Sequence, residues 1–319
     1  MEYQKIKGLT IPLSKVVLGC DSLPFRYGED VSFLIDGCLS LGINVFDSAH
    51  KYGASERMLG SYFSSHHNRD KVIIISKACH SAPDGKSTLN PEILRSSIEE
   101  SLSYLGYIDI FFLHRDDVSM NLEEMLSILN EYKERGKIKI YGGSNWTSNR
   151  IEEANQLAKK HNWAPFMVSS PHYSLANWEH DPWGGVVSLT GVSQRKERDY
   201  YLENQMPLFT YSPLARGYLS GRIHFSNYDE EKLILKKDAL WAYDSIDNKA
   251  RLRRCELLAS QKQTDVPSIA LAYLFSSPLN LFPIIGTTNV ERMKHNIEAS
   301  KIKLTKEERA YLNLDADKM

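Results

Sequence analysis

Four residues of the chain have side chains that can together move a proton to or from an oxygen atom. They are an aspartate, a tyrosine, a lysine and a histidine: Asp47, Tyr52, Lys77 and His114. A tyrosine hydroxyl, with a pKa near ~10, is a weak acid at neutral pH. We expect a nearby lysine ammonium to lower that pKa, and an aspartate to keep the lysine charged and fixed. A histidine adds a hydrogen bond to the reacting oxygen, so the set is typical of carbonyl protonation.

A metal site is not expected from these residues, because lysine and tyrosine are poor ligands for the common divalent ions. The cysteines are far apart in the sequence and match no metal-ligand spacing. They are Cys20, Cys38, Cys79 and Cys255. The sequence therefore predicts that no metal is bound and that the thiols are reduced, as in the cytoplasm.

The composition argues against several other classes of protein. The chain has 319 residues, of which 42% are hydrophobic and 25% charged, and a formal net charge of -1. Without a basic block, neither nucleic acid nor an anionic membrane surface is an expected partner. No apolar segment is long enough to span a bilayer, and residues 1–13 lack the apolar core of a signal peptide. We expect one cytoplasmic domain over residues 1–319 that acts on a small molecule.

Short apolar segments recur eight times, and the polar candidates follow them directly. Continuous apolarity over about four residues is typical of a strand that is covered on both faces. The segments are residues 16–18, 43–46, 72–75, 110–113, 138–141, 166–168, 207–210 and 282–285. Eight strands alternating with helices predict an α/β fold, the (β/α)8 TIM barrel, with a short N-terminal β-hairpin over residues 3–13 at the barrel bottom.

The helices between the strands carry boundary signals. Asn90 before Pro91 predicts an N-cap, and Thr305 followed by Glu308 predicts a capping box. Two connectors are unusually long, residues 174–198 and residues 216–247. We expect both to be loops over the active face of the barrel.

In a barrel of this type the carboxyl ends of all the strands meet at one face, which carries the active site. Asp47, Lys77 and His114 follow the second, third and fourth apolar segments. The fifth and seventh segments are followed by further polar residues at the same face. These are Ser144, Asn145, Tyr211 and Ser212.

Five segments, in order along the chain, resemble motifs of the aldo-keto reductase superfamily. Residues 46–53 (FDSAHKYG) resemble its FDTAxxYG motif, and residues 142–145 (GGSN) its GVSN motif. Residues 211–217 (YSPLARG) are similar to its YSPLxxG motif. Residues 75–77 (ISK) and 112–114 (FLH) look like its lysine and histidine segments. The resemblance extends from about residue 18 to residue 296, with each match at a predicted strand end.

The resemblance implies a catalytic tetrad of the four residues named first, with Tyr52 as the general acid. It implies that Ser144 and Asn145 bind the nicotinamide carboxamide and that Tyr211 stacks on the ring. Four further positions match cofactor contacts of the family: Ser212, Leu214, Gly217 and Asn296. At the sixth strand this chain departs from the family, because Ser170 stands where a glutamine usually contacts the nicotinamide amide.

The residues after the last strand predict how the other end of the cofactor is bound. No GxGxxG motif follows a strand, which disfavours a Rossmann domain. Gly286 and Thr287 precede a predicted helix whose free amides attract phosphate, and Thr288 with Glu291 predicts a capping box. Arg292, one turn inside that helix, can reach an adenosine 2′-phosphate. The family's NADPH users often have a basic residue at the Gly286 position, yet we expect NADP(H) as the preferred cofactor, with NAD(H) as the second option.

The expected function is an NAD(P)(H)-dependent oxidoreductase that reduces an aldehyde or ketone to an alcohol. Trp178 and Trp183, in the first long connector, either anchor that connector or form a stacking wall for a sugar ring. Asp116, two residues after His114, is a candidate acceptor for substrate hydroxyls. A sugar or a sugar-derived carbonyl is therefore one candidate substrate.

Two alternatives belong to other classes. One is a regulatory or scaffold barrel that binds the cofactor with little turnover, as potassium-channel β subunits do. The other is isomerase or aldolase chemistry through a Schiff base on Lys77. The second leaves Ser144, Asn145 and Tyr211 without a role.

Overall fold

In the computed structural model, which describes residues 1–80 and 88–318, eight parallel strands close into a barrel. The strands are β3 (Val17–Gly19), β4 (Val45–Asp47), β5 (Ile73–Ala78), β6 (Ile108–Leu113), β7 (Ile138–Ser144), β8 (Val168–Ser170), β9 (Leu208–Thr210) and β10 (Leu281–Ile285). Each strand pairs with the next along the chain, and β10 pairs with β3 through Ile284 and Val17. The (β/α)8 barrel and all eight strands predicted from the apolar segments are confirmed.

The side chains of each strand alternate between the barrel interior and the outer layer of helices. On β5, Ile73 and Ile75 belong to the interior core, whereas Ile74 packs in the outer core. On β6, Ile110 and Phe112 are likewise inside. Because alternate residues of a strand share a face, the residues two positions further on continue the inward row. This alternation directs Lys77 and His114 to the mouth of the barrel.

A short antiparallel hairpin lies across the opposite end of the barrel. Strand β1 (Tyr3–Gln4) pairs with β2 (Leu13–Ser14), and Leu13 and Ile6 join the interior core. Gly8 in its turn has a φ of 91°, and a β-carbon there would lie 2.7 Å from Ile140. Glycine is required at this position by both backbone conformation and space. The predicted N-terminal hairpin is confirmed.

Helices cover the outside of the barrel. They are α1 (Leu23–Tyr27), α2 (Ser32–Ser40), α3 (Ser55–Ser65), α4 (Pro91–Leu105), α5 (Leu122–Glu134), α6 (Ser148–Lys160), α7 (Arg195–Asn204), α8 (Tyr228–Glu231), α9 (Lys237–Tyr243), α10 (Ile246–Gln261), α11 (Val266–Phe275), α12 (Val290–Glu298) and α13 (Lys306–Leu312). The N-cap of α4 is Asn90, whose side chain accepts the amide of Ile93. Thr305 and Glu308 form the predicted capping box of α13. None of the described helices is long and apolar enough to cross a membrane.

Two details of the expected secondary structure were wrong. Residues 216–247, expected to be a loop, contain α8 and α9, because Ala239, Ala242 and Tyr243 bury one face of α9. At α12 the N-cap is Asn289, which accepts the amide of Arg292 at 2.8 Å, and not Thr288. The first long connector is irregular up to a 3-10 turn at Val192–Gln194, after which α7 begins.

Candidate active site

The lysine and aspartate of the predicted tetrad form a buried ion pair at the mouth of the barrel. The Nζ atom of Lys77 lies 2.6 Å from Oδ1 of Asp47 and also donates to the carbonyl of Ser48 at 2.9 Å. Only 3% of the Lys77 side chain is exposed. Burial raises the pKa of the Asp47 carboxyl, and the Lys77 ammonium works against that rise. Asp47 thus fixes the Lys77 ammonium at the mouth of the barrel.

Tyr52 reaches this pair from the turn between β4 and α3. Its amide donates to the carbonyl of Ala49 at 2.9 Å, which closes the turn. The next residue, Gly53, has a φ of 59°, and a β-carbon there would lie 2.5 Å from the carbonyl oxygen of Arg26. Only glycine fits this turn, and the turn places the Tyr52 ring 5.1 Å from the Lys77 ammonium. The ring meets His114 edge-on, with the centroids 6.0 Å apart.

The protonation states around Tyr52 differ from the expectation in one respect. Tyr52 lines the cavity but is surrounded by protein. This burial raises the pKa of its hydroxyl well above the usual value, and the negative charge of Asp47 raises it further. The direction of this pKa shift is opposite to the expected lowering, because desolvation of the tyrosinate is its largest cause. Burial and the charge of Lys77 keep the pKa of His114 well below its usual value. Tyr52 is thus protonated and His114 neutral at neutral pH.

The residues after β7 and β9 form a connected polar wall beside His114. The hydroxyl of Tyr211 donates to Oδ1 of Asn145 at 2.6 Å. The side-chain Nδ2 of Asn145 donates to the carbonyl of His114 at 3.3 Å and to Oγ of Ser144 at 3.2 Å. Asn145 has a φ of 62°, a conformation that asparagine tolerates better than most residues. These bonds fix the Tyr211 ring next to the tetrad.

Ser170, which replaces the glutamine of the family motif, is bonded to the barrel itself. Its Oγ donates to the carbonyl of Phe209 at 2.8 Å, and its own carbonyl accepts from Oγ of Ser144 at 3.1 Å. The residue is completely buried, although it borders the cavity. In this arrangement the hydroxyl hydrogen is already used within the protein. Toward a cofactor amide, the Ser170 hydroxyl could therefore act only as a hydrogen-bond acceptor.

A cavity of about 1220 Å³ extends from the tetrad to the start of α12. All four tetrad residues line it. So do all the residues predicted to contact the cofactor: Ser144, Asn145, Ser170, Tyr211, Ser212, Leu214, Gly217, Gly286, Thr287, Arg292 and Asn296. The strand order explains this arrangement, because β7 to β10 are consecutive in the ring and their carboxyl ends are neighbours.

The far end of the cavity has the features of an anion site. Thr287 accepts the amide of Asn289 at 3.1 Å, which holds the turn before α12. Arg292 is exposed and forms no ion pair with any residue in the described ranges 1–80 and 88–318. The space next to the Cα atom of Gly286 is open, since a β-carbon there would have no atom within 4 Å. A phosphate group fits this combination of helix start, free cation and open space.

The candidate substrate residues divide into one that lines the cavity and two that do not. Trp183 lines it, edge-on to Tyr211 at 5.3 Å. Trp178 instead stacks on His172 at 4.3 Å, behind Trp183. Asp116 forms an ion pair with Arg150 at 3.2 Å, which draws its carboxylate away from the cavity. Among the described residues, neither Trp178 nor Asp116 borders the cavity.

Several lining residues were not singled out in the sequence, mainly basic ones. The basic ones are Arg26, Lys51, Arg115, Arg222 and Lys236. Arg115 adjoins His114 and Lys51 adjoins Tyr52, which were the available signals. The other three lie in connectors whose course depends on tertiary packing. Residues 1–80 and 88–318 hold no group of three His, Cys, Asp or Glu side chains suited to a metal ion.

Comparison with known proteins identifies the class that this fold and site define. The sequence profile of the aldo/keto reductase family matches residues 26–314. The chain therefore belongs to this family, whose members reduce carbonyl compounds with NAD(P)H.

Individual relatives are distant but match along most of their length. A probable aldo-keto reductase of Glycine max is 29% identical, over 93% of this chain and 83% of its own. A putative aryl-alcohol dehydrogenase of Schizosaccharomyces pombe is 28% identical, over 95% and 92%. A versiconal hemiacetal acetate reductase of Aspergillus parasiticus is 26% identical, over 98% and 96%.

Proposed function

We propose that this protein reduces an aldehyde or ketone to an alcohol with NADP(H), and that Tyr52 donates the proton to the carbonyl oxygen. The observation that carries the proposal is the position of Tyr52 in the cavity, with its ring 5.1 Å from the ammonium of the buried Lys77–Asp47 pair and edge-on to His114. A weak acid, a fixed cation and a neutral hydrogen-bonding group are what proton donation to a developing alkoxide requires.

The cofactor, when bound, supplies the hydride. Ser144, Asn145 and Tyr211 would hold its nicotinamide ring against the tetrad, because they form one hydrogen-bonded wall there. Ser212, Leu214 and Gly217, which line the middle of the cavity, would contact the segment between the two ends. Gly286, Thr287, Arg292 and Asn296 would hold the adenosine end. Arg292 favours NADP(H) over NAD(H), because a 2′-phosphate gives this exposed guanidinium an anionic partner.

Each tetrad residue has a separate task in the proposed reaction. Tyr52 holds the proton until the carbonyl oxygen becomes basic, since burial keeps its hydroxyl protonated. Once the proton has left, the Lys77 ammonium stabilises the tyrosinate, and Asp47 keeps Lys77 in position. His114 hydrogen-bonds the same oxygen and orients it. Trp183 offers a flat surface to the rest of the substrate, including the apolar face of a sugar.

Replacement of Tyr52 tests the proposed proton donor. Tyr52→Phe should reduce turnover of an aldehyde by about 10²- to 10⁴-fold, because the ring remains while the acid is lost. NADPH binding, followed by quenching of tryptophan fluorescence, should be unchanged. Tyr27→Phe on α1, where 74% of the tyrosine is exposed, is the matched control. Full turnover in the Tyr52 variant would disprove the assignment.

Titration with NADPH and NADH separates an enzyme from a scaffold. We expect quenching by both cofactors, with tighter binding of NADPH, since Trp183 lines the cavity and reports on its contents. If neither cofactor binds, the reductase proposal fails. If both bind but no carbonyl compound is turned over, the regulatory barrel becomes the better account.

A further inference from the structure

The cavity wall is far more positive than the protein as a whole. Among the described residues, eight lysines and arginines line it: Arg26, Lys51, Lys77, Arg115, Arg216, Arg222, Lys236 and Arg292. Only three carboxylates line it: Asp21, Asp47 and Asp265. The chain carries a net charge of -1, so this excess is local. A concave surface with one dominant sign attracts ligands of the opposite sign.

A bound dinucleotide accounts for only part of this excess. Arg216, Arg222, Lys236 and Arg292 follow β9 and β10, on the side of the predicted cofactor contacts. The other four lie in or directly after β3 to β6, on the side of Tyr52. Of these, Lys77 is paired with Asp47 at 2.6 Å and Arg26 with Asp21 at 2.5 Å. Lys51 is exposed and contacts Nδ1 of His80 at 2.8 Å. Arg115 is therefore the remaining buried cation on the Tyr52 side of the cavity.

Arg115 is a buried cation that uses little of its hydrogen-bonding capacity. The residue is 8% exposed, and its Nε and Nη1 atoms have no hydrogen-bond partner. Its Nη2 atom donates to the carbonyl of Trp183 at 3.5 Å, a long contact. No carboxylate in residues 1–80 or 88–318 lies within ion-pair distance of it. A desolvated guanidinium is unfavourable unless an anion or several hydrogen bonds compensate it.

The surroundings of Arg115 do not supply that compensation. Asp181 is the acidic residue whose charge acts on it most, yet its carboxylate accepts the amides of Trp183 and Val186, each at 2.9 Å. Burial lowers the pKa of Arg115. Burial, followed by the charges of Arg115 and Arg26, lowers the pKa of Lys51. The positive charges on this side of the cavity therefore repel one another, and an anion placed there would relieve both groups.

We propose that the natural substrate is a carbonyl compound that carries a carboxylate, and that Arg115 binds this carboxylate while Tyr52 faces the carbonyl. The inference rests on the proposed carbonyl reduction and adds the substrate class to it. A carboxylate matches one buried guanidinium in charge, whereas a phosphate dianion requires a second desolvated cation. Trp183, which accepts from Arg115 and lines the same wall, contacts the part of the substrate between the two groups.

Pairs of substrates that differ only in charge test this inference. Para-carboxybenzaldehyde is compared with its methyl ester, succinic semialdehyde with butanal, and glucuronate with glucose. For the wild-type protein we expect kcat/KM to be about 10- to 100-fold higher for the carboxylate member of at least one pair, chiefly through KM. Glyceraldehyde 3-phosphate against glyceraldehyde shows whether a phosphate serves equally well.

Variants at Arg115 then identify the group that recognises the charge. Arg115→Met keeps the length of the side chain but removes its charge, and it should bring the ratio of kcat/KM for the carboxylate member to kcat/KM for the neutral member close to one. Arg115→Lys should restore part of the ratio. Arg195→Gln, at a position where the side chain is 82% exposed on α7, is the control and should keep the full ratio.

The outcomes separate this inference from the proposed function. Reduction of neutral and carboxylate substrates with equal kcat/KM, or a preference for the phosphate alone, overturns the inference while the reductase remains. An equal loss for both members of a pair in Arg115→Met also overturns it, because Arg115 would then only support the Trp183 segment. If no carbonyl compound is reduced at all, the proposed function itself has failed.

Discussion

Arg292 is the side chain on which the proposed preference for NADP(H) rests. It extends from the first turn of α12 into the cavity, is exposed, and forms no ion pair with the described residues. A 2′-phosphate beside it would gain a charged hydrogen bond, whereas the hydroxyl of NAD(H) would not. The same exposure means that its loss should not disturb the fold.

We predict that Arg292→Ala raises the KM for NADPH by about 10- to 100-fold and leaves the KM for NADH nearly unchanged. Steady-state rates with both cofactors and one aldehyde measure this. Lys294→Ala, an exposed position on the same helix, is the matched control. Equal effects on the two cofactors would remove the reason to prefer NADP(H).

At the scale of elements, the ends of β4, β5 and β6 position Asp47, Lys77 and His114 of the proposed tetrad, and the β4–α3 turn positions Tyr52. The start of α12 forms the proposed phosphate site. The inward rows of β5 and β6 end at Lys77 and His114, so catalytic geometry is tied to the most buried part of the protein. The anion site depends instead on α12, whose first turn is held by the Asn289 cap. Cofactor affinity should therefore be sensitive to this cap.

Asn289→Ala should lower the free energy of unfolding by about 1 kcal/mol, because an N-cap hydrogen bond is lost. It should also weaken NADPH binding several-fold, since the turn before α12 loosens. Thr305→Ala removes the cap of α13, a helix that does not border the cavity. It should lower the free energy of unfolding by a similar amount but leave NADPH binding unchanged. Urea unfolding and fluorescence titration give the two quantities. Weakened binding in both variants would point to a general effect of stability.

For the whole molecule, the aromatic cluster behind the cavity makes stability depend on pH. His172 is completely buried, bonded to Ser188 at 2.9 Å and to Tyr243 at 3.2 Å, and burial lowers its pKa to about 3. In the unfolded chain a histidine has a pKa of about 6.5. As the pH falls below that value the unfolded state takes up the proton first, so the folded state loses stability until the pH reaches about 3.

We predict that His172 alone lowers the free energy of unfolding by about 2 kcal/mol between pH 7 and pH 5. In His172→Gln the difference between the two pH values should shrink by that amount, whatever the absolute stability of the variant. His180→Gln, at an exposed position nearby, should retain the wild-type difference. Urea unfolding at both pH values measures it. An unchanged pH dependence in His172→Gln would show that other groups cause it.

Much of the architecture is determined by local patterns in the sequence. The eight apolar segments became the eight strands, and the Asn90 and Thr305 caps begin α4 and α13 as predicted. The polar residues next to those segments line one cavity, because parallel strands of a barrel end at one face. These features follow from side-chain periodicity and capping, which depend on neighbours along the chain.

Tertiary structure alone decided how charge and burial are distributed in the cavity. Asp116 turns to Arg150, Trp178 packs behind Trp183, and Asn289 rather than Thr288 caps α12. The raised pKa of Tyr52 and the burial of Arg115, which has no anionic partner among residues 1–80 and 88–318, both result from packing by residues far away in the sequence. The sequence determines which groups can ionise, whereas the free energy of ionisation depends on the groups that the fold packs around them.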